Sequence, residues 1–265
     1  MTFRNASHPV RLLDLVRRLI PSWSANGRLI DLPVHRDIVY VGDIHGDRKA
    51  VELLFERFPL GSDMLVFLGD ILDRGPDSIG SLSLILERQL EAPDETILLM
   101  GNHEAWAATQ FKPAGFWLSL SPQDAIEIAD GLGHLPYAAR HPSGLFAAHG
   151  ALPDVSSMDG IREVVLGSAA WRALTWGDWS ETPGAKPQAA SRPLFDRQAF
   201  DARAARLGVQ VMIRSHQPTA PMYLFDDRCL TLFTTTSYGD GERRVARLSA
   251  RQSINSARDL ELLSL

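Results

Sequence analysis

The chain of 265 residues predicts an α/β fold, with a parallel sheet from its first half and a second, mixed sheet from its second half. Three observations carry this reading. Apolar runs of about six residues, the usual length of a strand, alternate with segments of helical periodicity in the first half. In the second half the apolar runs follow one another with shorter connections. Five of these runs end in polar turns, four of them glycine-containing, as strands do where a sheet carries a ligand site.

The expected strands are 37–42, 64–69, 96–101, 144–149, 209–214, 230–236 and 243–248. The expected helices are 47–58, 77–91, 104–110, 122–133, 157–166 and 198–208. Residues 1–36 read as an N-terminal extension, 37–250 as the main domain and 251–265 as a C-terminal tail. In the extension Val10, Leu12, Leu13, Leu15, Val16, Leu19 and Ile20 recur at helical spacing, with Arg11, Arg17 and Arg18 between them. Such a helix docks on the domain or lies on a membrane surface, and docking is the favoured placement. Residues 180–193, with three prolines among small residues, form a surface loop.

Composition narrows the function. The hydrophobic fraction is 45%, the formal charge is -5 and the pI is near 5.9. No basic excess calls for nucleic acid. The single cysteine, Cys229, excludes an internal disulfide and suits a reducing compartment, so a cytoplasmic protein is expected. No run of 18 apolar residues is present to span a membrane. Charges within the N-terminal apolar stretch, and the lack of a small-residue cleavage site, argue against a signal peptide. Lysine is rare beside arginine, which points to a bacterial source.

The polar strand ends are the chemical signal. Val41 runs into "GDIHG" with Asp43 and His45. Leu68 runs into "GDILDRG" with Asp70, Asp73 and Arg74, and Met100 into "GNHE" with Asn102 and His103. Later, "FAAHG" ends in His149 and "VMIRSH" in Arg214 and His216. Beyond the carboxyl ends of parallel strands these groups converge. Asp43, His45, Asp70, Asn102, His149 and His216 combine carboxylate, imidazole and amide oxygen, a ligand set for Mn²⁺, Fe or Zn²⁺. Six ligands exceed one tetrahedral site and suit two adjacent ions that share a carboxylate. A single Gly-Asp after a strand is ordinarily a turn; five such ends in one chain are what point to a site.

These blocks, with "HGALPD", "ALTWGDW", "IRSHQP" and "LFTTTSYGDG", resemble the signatures of the PPP-type metallophosphoesterases, the phosphoprotein phosphatase family, over residues 37–248. The resemblance implies the calcineurin-like fold, a central two-sheet β-sandwich flanked by helices in four layers, α/β/β/α. It implies that Asp43, His45 and Asp70 bind one metal, and that Asp70, Asn102, His149 and His216 bind the second. His103 would be the catalytic acid, paired with Asp73, and Arg74 would clamp phosphate. The second phosphate arginine falls in a variable loop, where Arg192 is chosen and Arg197 is the alternative. Arg214 and Tyr238 complete the expected substrate contacts. The family's His-Gly-Gly reads His149-Gly150-Ala151 here, and its Asn-Tyr reads Ser237-Tyr238. The stretch from Glu104 to His134 is shorter than in eukaryotic members, so docking surfaces of the family do not carry over there.

The implied reaction is hydrolysis of a phosphomonoester by water that two cations, manganese first among them, activate. His103 would protonate the leaving alkoxide, with Asp73 expected to raise its pKa. A phosphorylated protein or peptide is the expected substrate. Two alternatives stand beside it: a small phosphorylated molecule such as diadenosine tetraphosphate, and a catalytically dead binding module. Of the remaining histidines, His8 and His35 precede the domain, His134 is placed at a helix end and His141 in a hairpin turn.

Overall fold

The computed structural model describes residues 9–238 and 241–265; His8 lies outside them. The chain begins with α1 (Pro9–Asn26) and β1 (Leu29–Asp31). The first half then runs β2 (Ile38–Val41), α2 (Arg48–Arg57), β3 (Met64–Phe67), α3 (Ser78–Glu91) and β4 (Thr96–Leu98). The short α4 (Gly115–Ser119) and α5 (Pro122–Leu132) lead to a hairpin, β5 (Ala138–His141) and β6 (Leu145–Ala148). After it come α6 (Ala169–Trp176), β7 (Asp178–Trp179), β8 (Leu194–Phe195), α7 (Arg197–Leu207), β9 (Val211–Arg214), β10 (Tyr223–Leu224) and β11 (Cys229–Thr231). β12 (Arg244–Leu248) and β13 (Glu261–Ser264) finish the fold.

One sheet has the order β13-β12-β2-β3-β4, with β2, β3 and β4 parallel and β12 antiparallel to β2. A second has the order β1-β5-β6-β9-β11-β10 and is mixed, and β7 and β8 form a separate parallel pair. The sequence explains how the two larger sheets stack. Successive strand side chains point to opposite faces. Tyr40, Val66 and Leu68 from the first sheet meet Ala147, Ile213 and Leu230 from the second in one inner core. Their neighbours Val39, Val41, Leu65 and Phe67 face outward to Val51 and Leu54 of α2 and Leu82 and Leu86 of α3. Phe146 and Met212 likewise face Trp171 of α6 and Phe200 of α7. The expected sandwich between helical layers is therefore present. A fully apolar run such as Ile38-Val39-Tyr40-Val41 reflects a strand buried on both faces.

Helix starts follow side-chain chemistry. Asp47, Asp77, Ser121, Ser168 and Asp196 each accept a hydrogen bond from a first-turn amide of α2, α3, α5, α6 and α7. Pro122 begins α5, where its missing N–H is no loss, and left-handed Gly208 closes α7.

The expectations fail in particular places. Residues 104–110 form turns, not a helix, because the segment is fastened to the site by contacts described below. The helix expected at 157–166 shrinks to a single 3₁₀ turn, Asp159–Glu163, and the helical element falls later, as α6. The stretch read as a tail supplies β13, which pairs with β12 from Arg244↔Ser264 to Arg247↔Glu261. Alternation is weak in its sequence because neither face of β13 is fully buried.

The amphipathic helix docks as favoured. α1 buries Leu12, Leu13, Leu15, Val16, Leu19 and Trp23 and packs on α3 and α5. Gly131 of α5 makes room for Val16: a Cβ there would lie 2.2 Å from Val16 Cγ1. The fully buried indole of Trp23 donates to Gln89 Oε1 at 3.2 Å. No described helix is long and apolar enough to cross a membrane. His141 ends β5 in the hairpin as expected, its Nδ1 2.8 Å from Ser143 Oγ. Trp23→Ala is expected to lower the free energy of urea unfolding by about 3–5 kcal/mol. A loss under about 1 kcal/mol would show that α1 is not part of the core.

Candidate metal centre

The carboxyl ends of β2, β3, β4, β6 and β9 meet where the two sheets join. Close backbone approach makes this possible. Gly69, at φ +101, and Gly101 abut so tightly that a Cβ on Gly69 would lie 2.2 Å from Gly101 N. Only glycines allow β3 and β4 to deliver Asp70 and Asn102 side by side. The sheets are stitched by an isolated parallel bridge between Asp43 and Phe233. Ser215 Oγ donates to Asp43 Oδ1 at 2.5 Å and accepts from Asp43 N at 3.0 Å.

Backbone strain concentrates here. Non-glycine residues with positive φ include His45, Asp70, Asp73, Arg74 and His216, all at polar strand ends. Left-handed backbone is unfavourable for such residues and persists where surrounding contacts enforce it, commonly at functional sites. Glu104 supplies part of that enforcement. Its fully buried carboxylate accepts from the amides of Asp70 (2.7 Å), Ile71 (2.9 Å) and Gly101 (3.0 Å). Burial, then the neighbouring Asp70 charge, raises its pKa to about 7.

The expected ligands are brought together and buried: Asp43, His45, Asp70, Asn102, His149 and His216 are all at most 4% exposed. His45 Nδ1 lies 2.8 Å from Leu72 O, and His149 Nδ1 lies 3.2 Å from Leu68 O. Donation to those carbonyls leaves each Nε2 lone pair facing the cluster. His45 Nε2 is 3.5 Å from Asp43 Oδ2 and 3.7 Å from Asp70 Oδ2. His149 Nε2 is 3.3 Å from Asp70 Oδ2, 3.1 Å from Asn102 Oδ1 and 3.1 Å from His216 Nδ1. Two triads have ligand atoms within 4.8 Å of one another, His45–Asp70–His103 and Asp70–His149–His216, and they share Asp70.

A divalent cation fits this donor set. Four acceptor-type atoms, His149 Nε2, Asp70 Oδ2, Asn102 Oδ1 and His216 Nδ1, crowd one point. A cation would satisfy such a cluster, which is unfavourable left to itself. The protein groups alone already interact strongly. Burial opposes ionisation of Asp70, yet His149, His103 and His45 hold its carboxyl well below the usual range. Burial likewise disfavours charge on His45 and His149, but the adjacent carboxylates carry both above the ordinary histidine value. His216 goes the other way: burial, then His149 and Arg192, push it well down.

His103 Nδ1 donates to Asp73 Oδ2 at 2.8 Å, and its Nε2 points toward Asp70 Oδ2 at 3.9 Å. The pairing with Asp73 is as expected; the pKa is not. Burial outweighs the pull of Asp70 and Asp73, and the net shift of His103 is downward. Asp73 Oδ1 accepts from Phe116 N at 2.8 Å, and Trp117 Nε1 donates to His103 O at 3.0 Å.

His45, Asp70, Asn102 and His216 line a cleft of about 370 Å³. Arg74, Arg192 and Tyr238 line it, along with Thr109, Gln110, Phe111 and Lys112. Arg192 forms a two-pronged ion pair with Asp178, at 2.9 and 2.8 Å. Arg197 faces away, paired with Asp226 and Glu181, so Arg192 is the one of the two at the cleft. Arg214 is not at the cleft either. It is fully buried, with its guanidinium on Gln217 Oε1, Gly177 O and Thr231 Oγ1. The sequence pattern placed it at a strand end but could not show that its side chain turns to the interior. Arg74 sits 5.6 Å over the Tyr238 ring. Glu104, Asp178, Ser215 and the 109–112 wall had no role in the sequence reading. Glu104 was visible in "GNHE" and Asp178 in "ALTWGDW", but neither spacing reveals which amides or cations they serve.

A calcineurin-like phosphoesterase model matches residues 37–220, which is more than half of the chain. The chain belongs to the calcineurin-like phosphoesterase family. Its PPP-type character is borne out by the catalytic subunit of serine/threonine-protein phosphatase 4 from Eremothecium gossypii, 30% identical over 228 residues. That match covers 79% of this chain and 70% of the relative. Among solved structures, a serine/threonine phosphatase from Saccharomyces cerevisiae with similarity to human phosphatase PP5 shares the fold, with TM-score 0.78 and 19% identity, over 97% of this chain and 90% of that one. A putative diadenosine tetraphosphatase is more distant in shape, with TM-score 0.53, 21% identity and coverage of 90% and 98%.

Glu104→Gln replaces one carboxylate oxygen with a donor that faces backbone amides. We expect about 1–3 kcal/mol loss of stability, read by urea unfolding of chelator-treated protein. An unchanged unfolding midpoint would contradict the bracing role.

Proposed function

We propose that this calcineurin-like phosphoesterase is a metal-dependent serine/threonine protein phosphatase. The observation that carries it is the joint presence of the buried, Asp70-centred ligand cluster and the His103–Asp73 pair on one cleft wall. The phosphatase 4 relatives support the substrate class. Asp43, His45 and Asp70 would hold one ion, and Asp70, Asn102, His149 and His216 the other, with manganese the first choice and iron or zinc the alternatives. When bound, such ions neutralise phosphoryl charge and acidify water, which makes attack on phosphorus accessible near neutral pH.

The chain's own groups do the rest. Arg74 offers a planar fork that matches two phosphoryl oxygens, and Arg192, whose Nε and Nη2 are held by Asp178, would add its Nη1 donor. Tyr238 supports Arg74 from below and packs edge-on to His45 at 5.4 Å between ring centres. His103 holds a proton on Nδ1 against Asp73, which fixes the ring so that Nε2 faces the cleft. A proton on Nε2 would pass to the departing serine or threonine oxygen. The downward pKa shift makes that imidazolium a stronger acid, and the substrate dianion would help it form.

Hydrolysis of a dinucleoside polyphosphate is the second reading. The diadenosine tetraphosphatase likeness favours the fold it shares, whereas Asp73 and Arg74 favour the monoesterase. Turnover of phosphoserine peptides against diadenosine tetraphosphate, both with Mn²⁺, separates them; clear preference for the dinucleotide would reverse the assignment. His103→Asn is expected to lower kcat by about 10²–10⁴-fold on p-nitrophenyl phosphate or phosphopeptide while metal content is retained. Full activity in that variant would refute the proposed acid.

A further inference from the structure

One cation at the cleft has no part in the chemistry above. Lys112 lines the cleft beside Thr109, Gln110 and Phe111. Its side chain is exposed, and no acidic residue among the described ones pairs with it. Of the lining residues that are described, Asp70 is the one acid, against the three cations Arg74, Lys112 and Arg192. Arg192 is already paired with Asp178, so Arg74 and Lys112 are the lining cations with no acidic partner given above, and Arg74 is the one assigned to the phosphate.

Lys112 is also held in place. Phe111 packs edge-on to the His103 ring at 4.5 Å and to Trp176 at 5.9 Å. Trp106 touches Phe111 at 5.4 Å and stacks on Trp117 at 5.5 Å. Trp117 and Phe116 are tied to His103 and Asp73 by the hydrogen bonds given above. The wall that carries Lys112 is thus fastened to the catalytic pair, which holds the base of its side chain at the cleft. A lysine is a compact, hydrated point charge on a flexible stem, which suits an anion whose position varies from one substrate to another.

We propose that Lys112 is a specificity-determining residue that receives a second anionic group next to the phosphate to be cleaved. Preferred substrates would then be phosphopeptides with an acidic side chain, or a second phosphate, beside the phosphorylated residue. This rests on the protein-phosphatase reading for the identity of the substrate, not for the charge preference itself.

The test uses three phosphoserine peptides, flanked by alanine, by aspartate or by a second phosphoserine. Phosphate release with Mn²⁺ gives kcat/KM for the wild type, Lys112→Gln and Lys112→Arg. The wild type should favour the two acidic peptides over the alanine peptide by about fivefold, the size of a contact between partly screened charges. Lys112→Gln should bring that ratio to about one, mainly through KM, and Lys112→Arg should keep it. High salt should shrink the wild-type ratio. A wild-type ratio near one, or the same ratio in Lys112→Gln, would overturn the proposal. If p-nitrophenyl phosphate is hydrolysed but no peptide is, the protein-substrate reading fails by itself. The same variants compared on tripolyphosphate and p-nitrophenyl phosphate then decide the role of Lys112 by the same ratio.

Discussion

Everything in this molecule is arranged around one electrostatic constraint: a carboxylate, Asp70, buried among imidazoles at the joint of two sheets. Isolated, a buried carboxylate is unfavourable by many kcal/mol, so it exists only where opposite charge and hydrogen-bond donors surround it. The fold supplies both. His103 N donates to Asp70 Oδ1 at 2.8 Å, three histidines stand around the other oxygen, and Glu104 binds the backbone that presents it. The glycines at 69 and 101, the left-handed backbone of Asp70 and the bridge from Asp43 to Phe233 all follow from bringing those groups to one place.

Two apolar layers make that placement rigid. The inner core between the sheets fixes the distance between β2–β3–β4 and β6–β9, and so the distance between the ligands that each half contributes. The helices α2, α3, α6 and α7 cover the outer faces of the sheets, and α1 packs in turn on α3 and α5. Interiors packed to this density respond poorly to small displacements, which is why the site tolerates strained residues. The aromatic wall from Trp106 to Trp117 extends the same rigidity to one side of the cleft. Arg192, also at the cleft, lies on the more exposed loop of residues 180–193 and is held there by its ion pair with Asp178.

Much of this was legible in the sequence, for a physical reason. Strands buried on both faces are nearly unbroken apolar runs, and each ended in a polar turn that a core has no use for. That contrast located β2, β3, β4, β6 and β9 and every residue of the ligand cluster. What stayed hidden depends on tertiary contacts. Residues 104–110 have a helical pattern but are claimed by the bonds of Glu104 to the Asp70, Ile71 and Gly101 amides and by Trp106 packing on Phe111 and Trp117. Arg214 occupies a strand end, yet its guanidinium finds acceptors inward. Burial reversed the shift that Asp73 alone would give His103. The strand β13 buries neither face fully, so its sequence leaves little alternation to read.

In the proposed centre Asp70 would be shared by two ions. Metal analysis of wild type and Asp70→Asn after equilibration with Mn²⁺ is the decisive measurement. About two ions per wild-type chain are expected, with loss of both and of phosphatase activity in the variant. A variant that retains both ions and full turnover, or a wild-type chain that binds none, would contradict it.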